Sequence, residues 1–328
     1  MSIGLIVIIV LVLVFLYLLY KQIKAKNLAN KLLFDKNEEI NIQKNEIELQ
    51  FKLIKKQNTE ITDSINYARL IQNAILPDIN ILNDSFKDYF VLFEPKSIVS
   101  GDFYWITKYN NKIIVAAVDC TGHGVPGAFM SMLGVSFLNE IVLNNNNLNS
   151  ADILNLLREK VILSLKQVSI ESNQKDGMDM SLSIIDTDNK TIDFAGAYNP
   201  LFIVTSINSE IEQQISFDSK KIENEKFKLL ELKADRMPIS ISRKTESFKS
   251  NILKYSENDK IFMFSDGIVD QFHFKTLKKY KKAKFKKNII ETSNMTASKQ
   301  GEIIKASYLE WKGNSEQTDD VLIIGIDL

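Results

Sequence analysis

The segment that decides the fold spans residues 113–134 and reads IIVAAVDCTGHGVPGAFMSMLG. Its apolar run, residues 113–118, predicts a buried strand that ends at the carboxylate of Asp119. Three glycines crowd the turn that follows, and Pro126 stands where a helix would begin. A carboxylate at a strand end, beside backbone that a ligand can approach closely, is typical of a cation or phosphate site. An ordinary strand–turn–helix joint with an Asp in its turn explains the same residues.

The composition limits the class of protein. The 328 residues suffice for one large domain plus an appendage, and a formal net charge of zero gives no reason to expect nucleic acid as a partner. Cys120 is the only cysteine, which excludes an internal disulfide and fits a reducing compartment. With only two histidines, a zinc site built from several His and Cys is disfavoured, so any metal would be bound by oxygen atoms.

The N-terminal segment predicts a membrane anchor. Residues 3–20 carry no charge, and as a helix they would be roughly 27 Å long, enough to cross a hydrocarbon core of about 30 Å. Lys21, Lys24 and Lys26 follow directly, which places the remainder in the cytoplasm. A cleaved signal peptide is disfavoured because no basic region precedes the run and no small-residue cleavage site follows it. We therefore predict a single-pass anchor, residues 1–22, in the inner (cytoplasmic) membrane, with no outer sensory domain unless the chain is part of a longer protein.

Residues 23–80 predict a coiled-coil stalk. Apolar residues recur every seven positions, at Leu33, Ile40, Ile47, Ile54, Ile61, Ala68 and Ile75. Polar residues such as Lys44 and Asn58 interrupt the second position of the seam, so the coiled coil should be weak and adjustable in register. We expect a long regulatory helix that forms a homodimer, controls the domain that follows and stops at Pro77. A solvated stalk without a signalling role remains the alternative.

The rest of the chain, residues 81–328, predicts a separate domain. Helical spacing predicts helices over residues 126–142 and 151–169. Strand-like and helix-like runs come in blocks instead of strict alternation, which favours an α+β fold with mainly antiparallel sheet. Residues 208–249 are polar and irregular and yield no prediction. The lysine-rich run 275–287 is interpreted as a solvated surface helix, with anionic lipid or an acidic phosphoprotein as the alternative contact.

Several carboxylates share one placement, at or near the end of an apolar strand; they are Asp102, Asp119, Asp266 and the pair Asp319 and Asp320. Because opposite strand ends are neighbours in an antiparallel sheet, they can converge on one rim. Taken singly, each is an ordinary turn or cap residue. Two carboxylates about 5 Å apart at an effective dielectric constant near 20 repel by roughly 3 kcal/mol. A converged set would therefore be protonated or bind Mg²⁺ or Mn²⁺, and two such ions make a hydrolytic centre for phosphate esters.

A family resemblance rests on six ordered segments. They read SIVSGDFYW, VAAVDCTGHGVPGAFMSMLG, KDGMDMSLSIID, FAGAYNPLFIV, FMFSDGIVDQF and EQTDDVLIIGI. In this order and spacing they resemble the SpoIIE-like branch of the metal-dependent protein phosphatases (PPM family), over about residues 85–328. The preceding SINYARLIQNAILP is similar to the helix ahead of this domain in many bacterial signalling proteins. The resemblance implies an αββα sandwich, two mainly antiparallel sheets flanked by helices, that removes phosphate from Ser or Thr of a protein.

The resemblance also implies a set of metal ligands for two Mn²⁺ or Mg²⁺ ions. Asp119 would bridge both ions, and the carbonyl of Cys120 would be a further ligand. Asp266 and Asp319 would complete the shell of the first ion, and Asp102 would bind the second.

Other implied roles are less direct. Asp320 fills a position that is often Asn in the wider family, so it ranks after Asp319. His123 would protonate the leaving oxygen, or it is a structural turn residue. The sequence has no evident counterpart of the arginine that grips substrate phosphate in many eukaryotic members, and Lys96 is a weak substitute.

The sequence thus predicts a membrane-anchored signalling phosphatase whose substrate is a phosphorylated protein, an anti-anti-sigma-type protein by family expectation. Two rivals remain. A catalytically silent dimeric module could keep the fold and sequester a phosphoprotein, although all ligand positions are filled by Asp. An aspartyl-phosphate enzyme would want a D-x-D nucleophile, whereas Asp119 is followed by Cys and Thr.

Overall fold

The computed structural model describes residues 2–168, 175–211, 222–244 and 246–328. They fall into two compact units, Met1–Ser64 and Ile65–Leu328. The proposed anchor, stalk and phosphatase boundaries at residues 22 and 80 are functional divisions that this partition does not address.

The N-terminal unit is a single helix. Helix α1, Ser2–Ile75, runs through all of its described residues and ends just before Pro77, as predicted, because proline disfavours the helical conformation in the residue before it. Every described side chain between residues 3 and 64 is exposed. Two helices in the described part of the chain are long and apolar enough to cross a membrane, the N-terminal helix and Gly124–Asn144. The second of these packs in a core, as shown below.

The second unit contains two sheets in which all pairings are antiparallel. One sheet has six strands in the order β1 (Asp88–Glu94), β11 (Val321–Asp327), β10 (Lys260–Phe264), β6 (Leu201–Ser206), β8 (Phe227–Leu232) and β7 (Ile222–Glu223). The other has five, in the order β2 (Phe103–Tyr109), β3 (Lys112–Cys120), β4 (Met178–Asp186), β5 (Thr191–Ala197) and β9 (Asn251–Lys254). The described helices of this unit beyond the end of α1 are α2 (Gly124–Asn144), α3 (Ser150–Ser164), α4 (Gly267–Asp270), α5 (Lys281–Glu291) and α6 (Ala297–Lys312), with a short 3₁₀ helix at Ile79–Leu82.

The sheets pack face to face between two helical layers. On β3, Ile113, Val115 and Ala117 face the other sheet, whereas Ile114, Ala116 and Val118 pack with α2 and α3. This follows from the two-residue period of a strand, and it explains why strands buried on both faces read as unbroken apolar runs. The outer face of the six-stranded sheet packs against α5 and α6. The predicted αββα sandwich is therefore confirmed.

Three segments differ from the sequence-based expectations. The described part of residues 208–249 contains strands β7 and β8, which the sequence did not reveal. The helix predicted over residues 151–169 ends at Ser164, and residue 169 lies outside the described residues. The lysine-rich run 275–287, interpreted as a solvated surface helix, is helical only from Lys281, where α5 begins, and that helix is solvated on one face only. Its buried face includes Phe285 and Ile289, and buried Lys286 pairs with Glu231 at 2.6 Å.

Candidate active site

Strand register brings the predicted carboxylates to one end of the sandwich. Phe103 pairs with Val118 in the β2–β3 ladder, so Asp102 and Asp119 lie next to each other just beyond that pair. In the other sheet, Ser265 N donates to the Leu322 carbonyl at 3.0 Å, which sets the segment after β10 beside the start of β11. The sheets meet at this end, where the backbone N of Asp266 lies 3.5 Å from Asp119 Oδ2.

Asp102 is almost completely buried. The residue has 3% of its surface exposed, and its Oδ2 is buried without a hydrogen-bond partner. Burial raises the pKa of Asp102 well above its usual value, and the nearby charges of Asp119, Asp320 and Asp319 raise it further, against a hydrogen bond from Ser265. An unpartnered carboxylate oxygen in such a place is costly unless a proton or a cation satisfies it.

Asp119 and Asp266 form a close pair. Burial raises the pKa of Asp119 well above normal, and the next largest contribution comes from Asp266. Burial also raises the pKa of Asp266, with further contributions from Asp270 and Asp319, while Lys279 opposes them. The hydrogen bond with Asp119 lowers the pKa of Asp266, so Asp119 is the member of the pair that holds a proton in the absence of a cation and releases it when a cation binds.

Asp319 and Asp320 have different surroundings. Both carboxylate oxygens of Asp320 accept backbone hydrogen bonds, Oδ1 from Lys96 at 2.6 Å and Oδ2 from Gly101 at 2.7 Å. Asp319 Oδ1 accepts a bond from the backbone N of Asp320 at 2.9 Å. Within the described residues, no hydrogen bond engages its other oxygen. Asp319 is thus better placed to offer a carboxylate oxygen to a cation. Asp320 instead holds the backbone of the segment that precedes Asp102.

The structure adds one carboxylate that sequence reasoning missed. Asp179 is the direct partner of Asp119 in the β3–β4 ladder. Burial raises the pKa of Asp179 to about 7, with Asp266 as the second cause. The signal was the two-residue period of β4, which places residue 179 on the same face as Ile185, between the sheets. That period becomes informative only when the β3–β4 register is known.

Close backbone packing surrounds these side chains. The turn residues Gly122 and Gly124 have positive φ angles of 85° and 66°. A Cβ atom at Gly101 or at Gly127 would collide with the carbonyl oxygen of Gly122. Glycine at these positions therefore lets the turn after β3 lie directly against the segment that carries Asp102.

Two predicted site residues lie apart from the carboxylate oxygens. The thiol of Cys120 is buried among the residues that pack with α2, and burial raises its pKa well above the usual value. Only the backbone carbonyl of Cys120 is therefore a candidate ligand. His123 is the N-cap residue of α2, is exposed, and makes no side-chain cap hydrogen bond.

The carboxylate oxygens at this end suit a hard divalent cation, although they do not surround a common point as a complete ligand shell. Among the residues that the structure describes, no three His, Cys, Asp or Glu side chains already surround one point as metal ligands. Carboxylates in a buried cluster repel one another. They would surround a common point only with a bound cation and after rotation of their side chains. The buried oxygen of Asp102 without a hydrogen-bond partner and the raised pKa values of Asp102 and Asp119 mark this end of the sandwich as a candidate cation site. None of the main contributions to these two pKa values comes from a Lys or Arg.

Comparison with known proteins identifies the family. The family model described as Stage II sporulation protein E (SpoIIE) matches residues 110–328, more than half of the chain. The chain belongs to the SpoIIE family. Its phosphatase domain is thus of the PP2C serine/threonine type, as the resemblance implied, and the silent binding module is not favoured. Membership also supports metal dependence in general terms, without fixing which ion or how many.

Solved structures agree with this assignment. The SiaA PP2C domain of Pseudomonas aeruginosa is 25% identical, with 83% of this chain and 98% of that chain covered and a TM-score of 0.69. The SpoIIE phosphatase domain with a fragment of its regulatory domain from Bacillus subtilis is 16% identical, covers 74% and 63%, and has a TM-score of 0.54, which supports the fold alone. The RsbU and RsbW domains of a Mycobacterium tuberculosis protein share the fold at 14% identity, with 74% and 60% covered and a TM-score of 0.51. No curated protein matches the sequence.

Proposed function

We propose that this SpoIIE-family protein is a membrane-anchored signalling phosphatase that hydrolyses phosphoserine or phosphothreonine on a partner protein with water activated by two divalent ions. The observation that carries the proposal is the meeting of Asp102, Asp119, Asp266 and Asp319 at one end of the sandwich, with an unpaired oxygen on Asp102.

The ligand assignment uses the residues at that end. Asp119 lies between Asp102 on one side and Asp266 on the other, which suits it to bridge two ions. Asp319 and the Cys120 carbonyl would add oxygen ligands, and Mn²⁺ or Mg²⁺ accepts such a set. Bound ions of this kind supply activation of water and neutralisation of phosphate charge.

The protein's own residues would prepare the site in two further ways. Asp320 holds the backbone of Lys96 and Gly101, so the segment that carries Asp102 keeps its position. His123, exposed at the start of α2, is the candidate to protonate the leaving oxygen of the substrate. Asp179, beside Asp119, is the further carboxylate that we include in the site.

The location and assembly follow from α1. The uncharged residues 3–20 would cross the inner membrane once, and the lysines that follow would keep the catalytic domain in the cytoplasm. We assign residues 1–22 to the anchor, 23–80 to the stalk and 81–328 to the phosphatase domain. The seam of the stalk would join two copies of the chain, because its apolar residues are exposed along one stripe.

The substrate class is a phosphoprotein. One structural neighbour, the Bacillus subtilis SpoIIE phosphatase domain, comes from a cell-fate determinant, and another joins RsbU and RsbW domains in one protein. Similar signalling use here would make an anti-anti-sigma-type protein the substrate. The zero net charge of the chain gives no support for a nucleic acid partner.

Hydrolysis of an aryl phosphate by the purified full-length protein, with and without Mn²⁺, tests the proposal. We expect Mn²⁺-dependent turnover that falls about 100-fold or more in Asp119→Asn and Asp266→Asn, since each variant loses a charged ligand. Asp188→Asn is the matched control, because Asp188 is an exposed carboxylate in the β4–β5 turn. Turnover that needs no metal, or that survives both site variants, would contradict the proposed function.

A further inference from the structure

The chain between α4 and the end of α5 carries a concentrated positive charge. Residues 271–290 include eight lysines and no Asp or Glu. We call residues 272–281 the lysine loop. Its exposed lysines are Lys275, Lys278, Lys279 and Lys281. Because the net charge of the whole chain is zero, this cluster is a local feature and points to a local use.

The lysine loop lies beside the proposed metal site. Helix α4 begins directly after Asp266, and Asp270, one turn later, pairs with Lys279 at 2.8 Å. Burial raises the pKa of Asp266 and Lys279 opposes that rise, so the loop lies within electrostatic reach of this carboxylate. Gln271, which precedes the loop, accepts a hydrogen bond at 3.0 Å from the backbone N of the residue before Asp319. Two of the proposed metal ligands are therefore connected to the loop.

Hydrogen bonds within the loop fix its shape. The backbone N of His273 donates to the Lys278 carbonyl at 2.9 Å, and the backbone N of Leu277 donates to the His273 carbonyl at 3.0 Å. The His273 ring packs edge-on against Trp311 of α6, with 4.6 Å between ring centroids. Its Nδ1 accepts hydrogen bonds at 3.1 and 3.2 Å from the backbone N–H groups two and three residues ahead. The lysines thus extend from a folded support, and a partner that binds them orders little additional chain.

Three of the exposed lysines lack an acidic partner. Lys279 is paired with Asp270, but among the described residues no carboxylate forms an ion pair with Lys275, Lys278 or Lys281. Their charges are consequently available to the carboxylates of another molecule.

The proposed reaction gives these charges a use. A phosphoprotein brings negative charge to a site that is itself built from carboxylates, and exposed charges still interact within about 10 Å at physiological salt. A protein whose phosphate reaches Asp266 must also cover the adjacent loop, where Phe272 and Leu277 are 39% and 73% exposed. A lipid surface lying on the loop would stand in the way of that substrate, which favours a protein as the occupant.

We propose that the lysine loop is a docking surface for the substrate, a phosphoprotein with several Asp or Glu residues near its phosphoserine or phosphothreonine, which Lys275, Lys278 and Lys281 attract and hold. The inference rests on the proposed function, because it takes the neighbouring carboxylates as the metal site. The loop then selects the surroundings of the phosphate, and the metal site acts on the phosphate itself.

The test compares two phosphoserine peptides as substrates of the purified full-length protein with saturating Mn²⁺. One peptide carries Asp and Glu around the phosphoserine, and the other has Asn and Gln at the same positions. We expect wild type to show a kcat/KM about 10-fold higher for the acidic peptide, a preference that about 0.5 M NaCl removes. The triple variant Lys275→Gln, Lys278→Gln, Lys281→Gln should lose the preference through a higher KM for the acidic peptide. The corresponding three Lys→Arg changes should retain it, because they keep the charge.

The chain offers a matched control at the other end of the sandwich. Lys87, Lys108 and Lys226 are exposed and lie towards the strand ends opposite the site. Changing these three to Gln removes the same charge and should leave the preference for the acidic peptide intact.

Hydrolysis of an aryl phosphate by the same preparations separates the two proposals. A wild type that hydrolyses it with Mn²⁺ but prefers neither peptide would overturn the docking role and leave the proposed function standing. A preference that survives in the Lys→Gln triple variant, or that the control variant loses equally, would also overturn the docking role. If neither peptide is preferred, while phosphatidylserine in reconstituted vesicles changes aryl phosphate turnover of wild type and not of the triple variant, the loop contacts lipid instead. A wild type inactive on the aryl phosphate with Mn²⁺ would overturn the proposed function, and this inference with it.

Discussion

Asp319 and Asp320 show how hydrogen bonds divide two adjacent carboxylates between different tasks. The backbone N–H groups of Lys96 and Gly101 occupy both oxygens of Asp320, whereas Asp319 retains an oxygen that accepts no hydrogen bond from the described residues. The resemblance ranked Asp319 before Asp320 by position in a motif. The contacts supply a physical reason for the same order, because a carboxylate already engaged by two backbone donors has less to offer a cation.

Substitution of each residue by Asn should separate these tasks. Asp319→Asn should weaken Mn²⁺ binding about 10–100-fold and leave the unfolding temperature of the metal-free protein nearly unchanged. Asp320→Asn should lower the free energy of unfolding without metal by about 1–3 kcal/mol, because an amide offers a single acceptor oxygen where two backbone donors now bind. Mn²⁺ titration and thermal unfolding in EDTA measure both effects. The reverse pattern would show that Asp320 is the ligand.

The candidate site was predictable where one motif held both the residue and its surroundings. Asp102, Asp119, Asp266 and Asp319 each lie at the end of an apolar run, and a strand end is visible in the sequence. The buried contacts of Gln72 were not predictable, because its partners Ser100 and Ser131 are 28 and 59 residues away and only the fold brings them together. The same holds for Asp179, which no pattern singled out as a site residue and which strand register places beside Asp119.

At the scale of elements, the apolar strands and the core helices were predictable because their periods are simple. The buried face of helix α5 was not predictable in this way. Its eleven residues include many lysines, which conceal an apolar face formed by Phe285, Ile289 and Ile290. Lys286 lies in the same buried surface, pairs with Glu231 and sits over the ring of Phe202, 5.1 Å from its centroid. A lysine-rich segment is fully solvated only where no buried acidic side chain lies opposite it. Here Glu231 is that side chain, and it lies on β8, a strand that the sequence did not reveal.

At the same scale, we predict that the stalk helix forms a dimer through its seam. Its seam residues Leu33, Ile40, Ile47, Ile54 and Ile61 are 54–64% exposed in the single chain. The double variant Ile47→Asp, Ile54→Asp should weaken dimerisation about 100-fold or more, because each copy would bury two carboxylates in an apolar seam. Sedimentation equilibrium of the full-length protein in detergent measures the dimer.

The stalk offers a matched control for this experiment. Ile42 and Leu49 are also seven residues apart, equally exposed and apolar, but they lie two positions beyond the seam. Ile42→Asp, Leu49→Asp changes charge and apolar surface by the same amount and should leave the dimer intact. Equal dissociation by the two double variants would contradict the seam, and a monomeric wild type would contradict dimerisation through the stalk.

At the scale of the whole molecule, the sandwich gathers acidic residues from both sheets into one end of a chain whose net charge is zero. Burial and mutual repulsion raise the pKa values of Asp102, Asp119, Asp179 and Asp266. The fold therefore places mutually repelling carboxylates at the proposed cation site. Stability and metal binding should consequently depend on pH in a linked way.

The sign of that dependence can be worked out for Asp179. Its pKa is about 7 in the folded protein and near 3.8 when unfolded, so between these values the folded state binds more protons than the unfolded state. Stability without metal must then fall as the pH rises through this window. Since Asp179 keeps some exposure to solvent, we expect it to make the metal-free protein about 2 kcal/mol less stable at pH 8 than at pH 5.

Urea unfolding in EDTA at the two pH values, for wild type and Asp179→Asn, measures the contribution of Asp179 together with its coupling to Asp119. The variant cannot ionise, so its loss of stability between pH 5 and pH 8 should be smaller than that of wild type by about 2 kcal/mol. Mn²⁺ at about 100 times its Kd should stabilise wild type at pH 8 by about 2.7 kcal/mol, because it binds the folded state alone. An identical pH dependence in the two proteins would mean that Asp179 is not held near Asp119 and Asp266, and the fifth carboxylate would then leave the proposed site.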